Sequence, residues 1–171
     1  MRRHVALLRG VSPINARMPE LKRCFEHAGF TNVRTLLSSG NVVFDAAAKS
    51  EAGLVRKAEA AMAAELGRRF EAFVRTQAAL QELVAADPFG SMTLPAGAKR
   101  VVTFLRQPHA AALALPVQAH DAWILQLRGR EVLSAYLPGP RGPLFMALIE
   151  KTFGKCVTTR TWDTVSKCAA A

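Results

Sequence analysis

The side chains of this sequence that are best suited to chemistry are arginines, and the chemistry that they suit is the binding of anions. A guanidinium group pairs with a phosphate or a carboxylate through charge-assisted hydrogen bonds. Seven residues in predicted turns or at strand ends are candidates for holding an anionic ligand: Arg9, Ser39, Asn41, Arg128, Arg130, Arg141 and Arg160. Two interpretations of Arg160 stay open, because its side chain can bond loop carbonyls or hold the anion of a ligand.

Two of these candidates lie in stretches whose composition also has a simpler explanation. Ser39 precedes Gly40 in a predicted turn, where serine is common for reasons of turn geometry alone. Arg141 lies in the stretch 138–143, which leads into a predicted helix N-terminus, a natural place for an anion. The three prolines of that stretch remove N–H donors that a phosphate cradle needs, so its composition is typical of a rigid loop.

Residues for catalysis or metal binding form no recognisable set. The four histidines fall in different predicted elements, without metal-ligand spacing between them or to the cysteines. There is no G-x-S-x-G nucleophile elbow, and Cys24, Cys156 and Cys168 lie outside known catalytic signatures. We therefore predict no catalytic residue, no metal and no cofactor. Whether the protein is an enzyme stays open, and the lack of a catalytic motif favours a non-enzyme.

Composition predicts a globular, cytoplasmic protein of 171 residues with reduced thiols. Its apolar runs are too short for a membrane span, so no membrane partner is expected. The formal net charge is +10, with thirteen basic against seven acidic residues in 1–76 and ten against six in 77–171. Such a charge favours anionic partners, although an arginine-rich composition alone would also produce it.

Hydrophobic patterning organises the chain around a predicted hairpin at 33–44, V-R-T-L-L-S-S-G-N-V-V-F, in which Gly40 suits a tight turn. A strand at 4–9 and a helix from Pro19 to Gly29 come before it. A helix that starts after Ser50 and a strand at 70–75 come after it. The order β-α-β-β-α-β is that of a ferredoxin-like unit.

The second half is predicted to repeat this order. Its predicted elements are a strand at 99–106, a helix at 109–115, a hairpin around Gly129, a helix that ends at Gly154, a strand at 156–158 and a helix capped by Thr161. The predicted fold class is thus α+β, with two ferredoxin-like βαββαβ subdomains that have antiparallel sheets and arose by structural duplication. The predicted divisions are a first subdomain at 1–76, a linking helix and loop at 77–98, and a second subdomain with a terminal helix at 99–171.

A ferredoxin-like unit is also the scaffold of RNA-recognition modules, which stack bases on aromatic side chains of two inner strands. Here the strand at 40–44, G-N-V-V-F, lacks that aromatic pattern, and the strand at 4–9 has no phenylalanine, tyrosine or tryptophan. The expected contact with nucleic acid is therefore weak, electrostatic and non-specific.

Four segments together resemble a known family: V-A-L-L-R-G at 5–10, M-P-E-L at 18–21, L-S-S-G-N-V-V-F at 37–44 and T-R-T-W-D-T-V at 159–165. On these segments the chain is identified as a member of the bacterial domain-of-unknown-function 1697 family. It departs from the usual pattern in a shorter loop after Gly10, and in Gly142-Pro143-Leu144 where a Gly-x-Ser-Lys-like sequence is usual. The resemblance implies two ferredoxin-like subdomains in a bacterial cytosolic protein, and it implies no established activity.

Three functional hypotheses remain. The first is a non-catalytic module that binds an anionic partner, either nucleic acid or a phosphorylated small molecule. The second is an enzyme whose polar site lies between the halves and is built from Arg9, Ser39, Asn41 and Arg160. The third is a structural or protein-interaction domain. The ligand, any reaction and the oligomeric state are left open.

Overall fold

The computed structural model describes residues 1–47, 50–139 and 144–171. The chain forms two compact units, the first comprising Met1–Ala85 with Ser166–Ala171 and the second Ala86–Val165. The elements up to residue 85 are β1 (Arg2–Leu8), α1 (Met18–His27), β2 (Thr31–Leu36), β3 (Asn41–Ala46), α2 (Glu51–Leu66), β4 (Ala72–Thr76) and α3 (Gln77–Ala85). Those that follow are β5 (Lys99–Leu105), β6 (Val117–Ala119), β7 (Ala122–Arg128), β8 (Glu131–Tyr136), α4 (Leu144–Phe153), β9 (Val157–Thr161) and α5 (Trp162–Ala170).

The first unit has the full β-α-β-β-α-β order. Its four strands lie in the order β2-β3-β1-β4, and every neighbouring pair is antiparallel. The inner strand β1 is covered on both faces, since Val5, Ala6, Leu7 and Leu8 are each at most 1% exposed. This matches its continuous apolar sequence. The α3 helix, which the sequence placed in a linking segment, belongs to this unit.

Local signals set the ends of the helices in the first unit. Ser50 Oγ accepts a hydrogen bond from the Gly53 N–H at 3.2 Å and so caps the start of α2, and Gly67 ends it in the left-handed conformation. After α1, Gly29 has a φ of +78°, and the Phe30 N–H reaches back to the Phe25 carbonyl at 3.1 Å. The two helices pack together and cover the sheet over the buried rings of Phe25, Phe30 and Phe44.

The second unit has five strands in the order β6-β7-β8-β5-β9, again antiparallel throughout. Without the edge strand β6, this order repeats that of the first unit. The hairpin predicted around Gly129 is present, with Gly129 at a φ of +61°. The predicted α+β class with two ferredoxin-like halves is confirmed.

The predicted helix at 109–115 is wrong. This stretch is irregular and leads into β6, which the sequence did not predict. Alanine favours a helix, but a segment of seven residues between Pro108 and Pro116 forms too few helical hydrogen bonds to offset the cost of nucleation.

The hydrophobic core of the second unit lies between one face of its sheet and α4. Apolar side chains of β5, β7, β8 and β9 pack there against Phe145, Leu148 and Ile149. None of the helices in the described ranges is long and apolar enough to cross a lipid bilayer.

Candidate ligand-binding cavity

A cavity of about 840 Å³ opens in the second unit, where the first turn of α4 meets the sheet. Its floor includes Val101, Tyr136, Thr159 and Thr161. Val101 pairs with Thr161, and Tyr136 lies two residues beyond Ser134, which pairs with Val101 on the other side. Because paired residues of an antiparallel sheet share a face, these four side chains all point to the side that carries α4.

Two aromatic rings form one side of the cavity. Tyr136 lies at the end of β8 and Phe145 in the first turn of α4. Their ring centroids are 5.0 Å apart and the ring planes differ by 15°, so the rings are stacked. Phe145 is buried and Tyr136 is half-buried. The stack thus fixes the plane of a tyrosine ring that borders the open space.

Two threonine hydroxyls lie at the β9 side of the cavity. The Thr159 hydroxyl is 2.8 Å from the hydroxyl of Thr103 on the neighbouring strand. The Thr161 hydroxyl accepts from the Thr164 N–H at 3.3 Å and so caps α5, as the sequence predicted. A hydroxyl has one donor and two acceptor positions, so each can also bond a ligand atom.

Polar groups also border the cavity at the entrance to β7 and at α4. His120 and Asp121 form the turn before β7, and the Asp121 carbonyl accepts from the Leu137 N–H at 2.8 Å. The lining also includes Leu144, Phe145 and Met146, the first three residues of the ten-residue helix α4. N–H groups of a first helical turn have no acceptor within the helix, and the positive end of the helix dipole lies there.

Arg160 lines the cavity as part of β9, but its side chain points elsewhere. It pairs with Val102 on β5, so it lies on the face opposite to Thr159 and Thr161. Its Nη1 donates to the Thr158 hydroxyl at 2.7 Å and to the Thr159 carbonyl at 3.0 Å. Arg160 is only 8% exposed, and its guanidinium forms these hydrogen bonds within its own strand, β9.

Two candidates of the first unit, Ser39 and Asn41, meet at the β2–β3 turn. The fully buried Asn41 donates through Nδ2 to the Leu36 carbonyl at 3.0 Å and to the exposed Ser39 hydroxyl at 3.1 Å. These bonds hold the turn together. Arg9 directly follows β1, and its backbone N–H donates to the carbonyl of Glu71, the residue before β4, at 2.9 Å.

The remaining candidates belong to the second half. Arg128 is exposed and Arg130 is half-buried at the β7–β8 turn, and neither lines the cavity. Arg141 lies outside the described residues.

Neither a metal site nor a reactive Cys24 thiol is supported in the described parts of the chain. No group of three or more histidine, cysteine, aspartate or glutamate side chains could hold a metal ion within the described ranges. Burial, and then the neighbouring Glu65, raise the pKa of the Cys24 thiol to about 11. Cys24 is thus protonated at neutral pH, and the nucleophilic form of a thiol is the thiolate.

The aromatic stack was missed by reasoning from the sequence. Tyr136 and Phe145 are nine positions apart with a proline-rich sequence between them, and this spacing predicts no contact. One signal was available, because Tyr136 is the single tyrosine of the chain and ends a predicted strand next to that proline-rich sequence.

The sequence also matches a family model. The model, described as "Protein of unknown function (DUF1697)", matches residues 1–132. The chain belongs to this family. The membership expected from the four sequence segments is confirmed. The DUF1697 match ends before Tyr136, so most of the cavity wall lies beyond it.

Among solved structures, this DUF1697 chain is similar to the conserved bacterial protein SP0830 from Streptococcus pneumoniae. The two share 18% sequence identity and a TM-score of 0.70, over 99% of this chain and 97% of that chain. At this identity the likeness shows a common fold. No curated protein matches the chain.

Proposed function

We propose that the protein is a non-catalytic module that binds a phosphorylated small molecule in the cavity of its second unit. The observation that carries the proposal is the cavity itself. Its volume of about 840 Å³ falls within the range of about 300–1,000 Å³ that is typical of small-molecule sites. Its wall combines apolar and aromatic side chains with a few polar groups, which is the usual make-up of such sites.

The polar groups at α4 and β9 suit a phosphate, and Asp121 at the turn before β7 is the one acidic side chain among the described residues of the lining. The first turn of α4 offers backbone N–H groups and the positive end of a helix dipole. The hydroxyls of Thr159 and Thr161, which also bond the hydroxyls of Thr103 and Thr164, each keep a position for a ligand atom. The net charge of +10 raises the local concentration of anions around the whole protein.

The same geometry favours a small molecule over a nucleic acid strand. A strand is tracked by an open groove in which cationic side chains follow its backbone. Here the exposed Arg128 and the half-buried Arg130 lie at the β7–β8 turn, away from the cavity lining. The cavity is instead bounded by side chains from four strands and one helix.

Thermal unfolding in the presence of ribose 5-phosphate and of inorganic phosphate tests the proposal. A ligand at 100 times its Kd stabilises the folded state by about 2.7 kcal/mol, which for a chain of this size is about 5–10 °C in Tm. We expect such a shift with ribose 5-phosphate. No shift with either compound at millimolar concentration would contradict the proposal.

A cavity-filling variant shows where the ligand binds. Gly139 lines the cavity, and a Cβ added there meets no atom within 4 Å, so the side chain of Gly139→Leu starts in open space. This variant should fold normally and lose the ligand-induced shift. Ala111→Leu is the matched control, because residue 111 is exposed and does not line the cavity. A Gly139→Leu protein that binds as well as the control would place the ligand elsewhere.

A further inference from the structure

We infer that the ligand carries a flat aromatic ring as well as its phosphate, which places it in the chemical class of the nucleoside monophosphates. This inference rests on the proposed function and adds the group that would bind on the aromatic side of the cavity. It is carried by the geometry around Tyr136.

The ring of Tyr136 is held as a platform. Phe145 stacks on it with the planes 15° apart, which fixes the orientation of the tyrosine ring. Tyr136 is half-buried and lines the cavity, so it borders the space into which a ligand ring would fit. Aromatic side chains that border a binding site in this way are the usual partners of nucleobases.

The neighbour of Tyr136 on the floor is small. Tyr136 pairs with Ala122 of β7, whose side chain is a single methyl group on the same face of the sheet. Ala122 lines the cavity as well. Ala122 is 2% exposed, so its methyl group is packed in the core and does not project into the cavity. The floor thus combines a flat aromatic surface with a small side chain next to it.

The other walls suit the remaining parts of such a ligand. Met146 lines the cavity, and its thioether makes favourable contacts with aromatic rings. Thr159 and Thr161 present hydroxyls that can bond ring nitrogens or sugar hydroxyls. The first turn of α4, which also carries Phe145, is the part of the wall that suits the phosphate. Ring and phosphate would then lie against adjacent parts of one wall.

Calorimetric titration of the full chain with AMP and with ribose 5-phosphate separates this inference from the proposed function. The two compounds share the sugar phosphate and differ in the adenine ring. We expect AMP to bind at least about tenfold more tightly, since stacking of one base is worth about that much or more. The H2 and H8 proton resonances of bound AMP should move upfield, as they do under an aromatic ring.

Two variants assign the difference to Tyr136. Tyr136→Leu should weaken AMP binding about tenfold and leave ribose 5-phosphate binding within about twofold, whereas Tyr136→Phe should bind both as the parent does. Ribose 5-phosphate binding by Tyr136→Leu also shows that the variant is folded. If Tyr136→Leu does not fold, the comparison of the two ligands on the parent protein and the proton shifts still decide the question.

Each outcome has one meaning. Equal affinity of the parent for the two compounds would overturn the ring inference and leave the proposed function standing. Tighter AMP binding that Tyr136→Leu retains would overturn the role of Tyr136. Binding of neither compound would remove the proposed function, and this inference with it.

Discussion

Glu59 Oε2 accepts a hydrogen bond from Arg69 Nη2, and this pair joins the middle of α2 to the segment that enters β4. The other carboxylate oxygen, Oε1, accepts from the Ala72 N–H at 3.0 Å. Glu59 is only 3% exposed, whereas the side chain of Arg69 is 63% exposed. The buried carboxylate of Glu59 thus positions Ala72, the first residue of β4, and its charge is balanced by the exposed guanidinium of Arg69.

Removal of the Glu59 carboxylate should destabilise the first unit. In Glu59→Ala the buried N–H of Ala72 loses its acceptor and the ion pair is lost, so we expect a cost of about 2–3 kcal/mol. Urea unfolding measures it. Lys22→Ala is the comparison, because Lys22 and Glu26 form an exposed pair at 3.7 Å whose loss should cost only about 0.5 kcal/mol. Equal costs for the two variants would show that burial adds nothing to the Glu59 interaction.

His4 should make the stability of the protein depend on pH. Its ring is buried and stacks on Phe44, and burial lowers the pKa of His4 below 6.5, although a hydrogen bond to the Arg2 carbonyl partly opposes the shift. The unfolded chain therefore binds a proton at His4 at a higher pH than the folded chain does. The stability from this residue is complete above about pH 6.5 and is lost as the pH falls below that value.

Thermal unfolding at pH 8 and at pH 5 measures this effect. His4→Phe keeps the ring stack and has no titrating group, so the loss of stability between the two pH values should be smaller than in the parent. His27→Gln is the control, because the His27 side chain is 67% exposed in its pair with Glu65. If His27→Gln reduces the pH dependence as much as His4→Phe does, burial of His4 is not its source.

Gly40 should tolerate no side chain. It has a φ of +80°, and an added Cβ would lie 2.7 Å from Val11 Cβ and 3.0 Å from Leu8 Cβ. Gly40→Ala should thus cost the backbone strain of about 1–2 kcal/mol and a steric term of about 1–3 kcal/mol in addition. Gly67→Ala isolates the backbone part, because Gly67 has a φ of +63° and open space around it. Similar unfolding free energies for the two variants would exclude the predicted clash.

The net charge of +10 leads to a separate expectation for nucleic acid. Non-specific binding with a Kd of about 10⁻⁴–10⁻⁶ M should weaken steeply as salt is added, because each neutralised phosphate releases a counterion. The double change Arg128→Glu and Arg130→Glu should weaken it for all sequences alike. The control is the double change Lys151→Glu and Lys155→Glu, which alters the net charge by the same amount near the end of α4. Anisotropy titration at low salt compares them, and no binding at tens of micromolar protein would end the nucleic-acid hypothesis.

The parts of the fold that could be predicted are those with local causes. The hairpin of β2 and β3 follows from Gly40 between two apolar runs, and α2 follows from a cap at Ser50 and a stop at Gly67. Each of these signals acts over a few residues. The helix expected at 109–115 failed because the same local rules give only a weak preference over so short a segment.

The site could not be predicted in this way because its parts are brought together by the tertiary fold. Tyr136 and Phe145 belong to different elements, and their stacking depends on how α4 docks on the sheet. Glu59 is a similar case, since a glutamate in an alanine-rich helix usually faces solvent, and only the position of Arg69 and Ala72 explains its burial. Arginines stood out in the sequence by their number, yet Arg160 bonds its own strand.

The three-residue strand β6 has a consequence for how the protein behaves at high concentration. It pairs with β7 from Val117 to Ala119 and so occupies the first half of an edge that would otherwise offer seven residues of unpaired backbone. Open edges of that length recruit strands from other molecules, and short edge strands are one means by which natural proteins prevent it. The irregular stretch found in place of the expected helix therefore leads into a short strand that blocks pairing of β7 with other molecules. A chain from which this stretch is deleted should aggregate at concentrations at which the full chain does not.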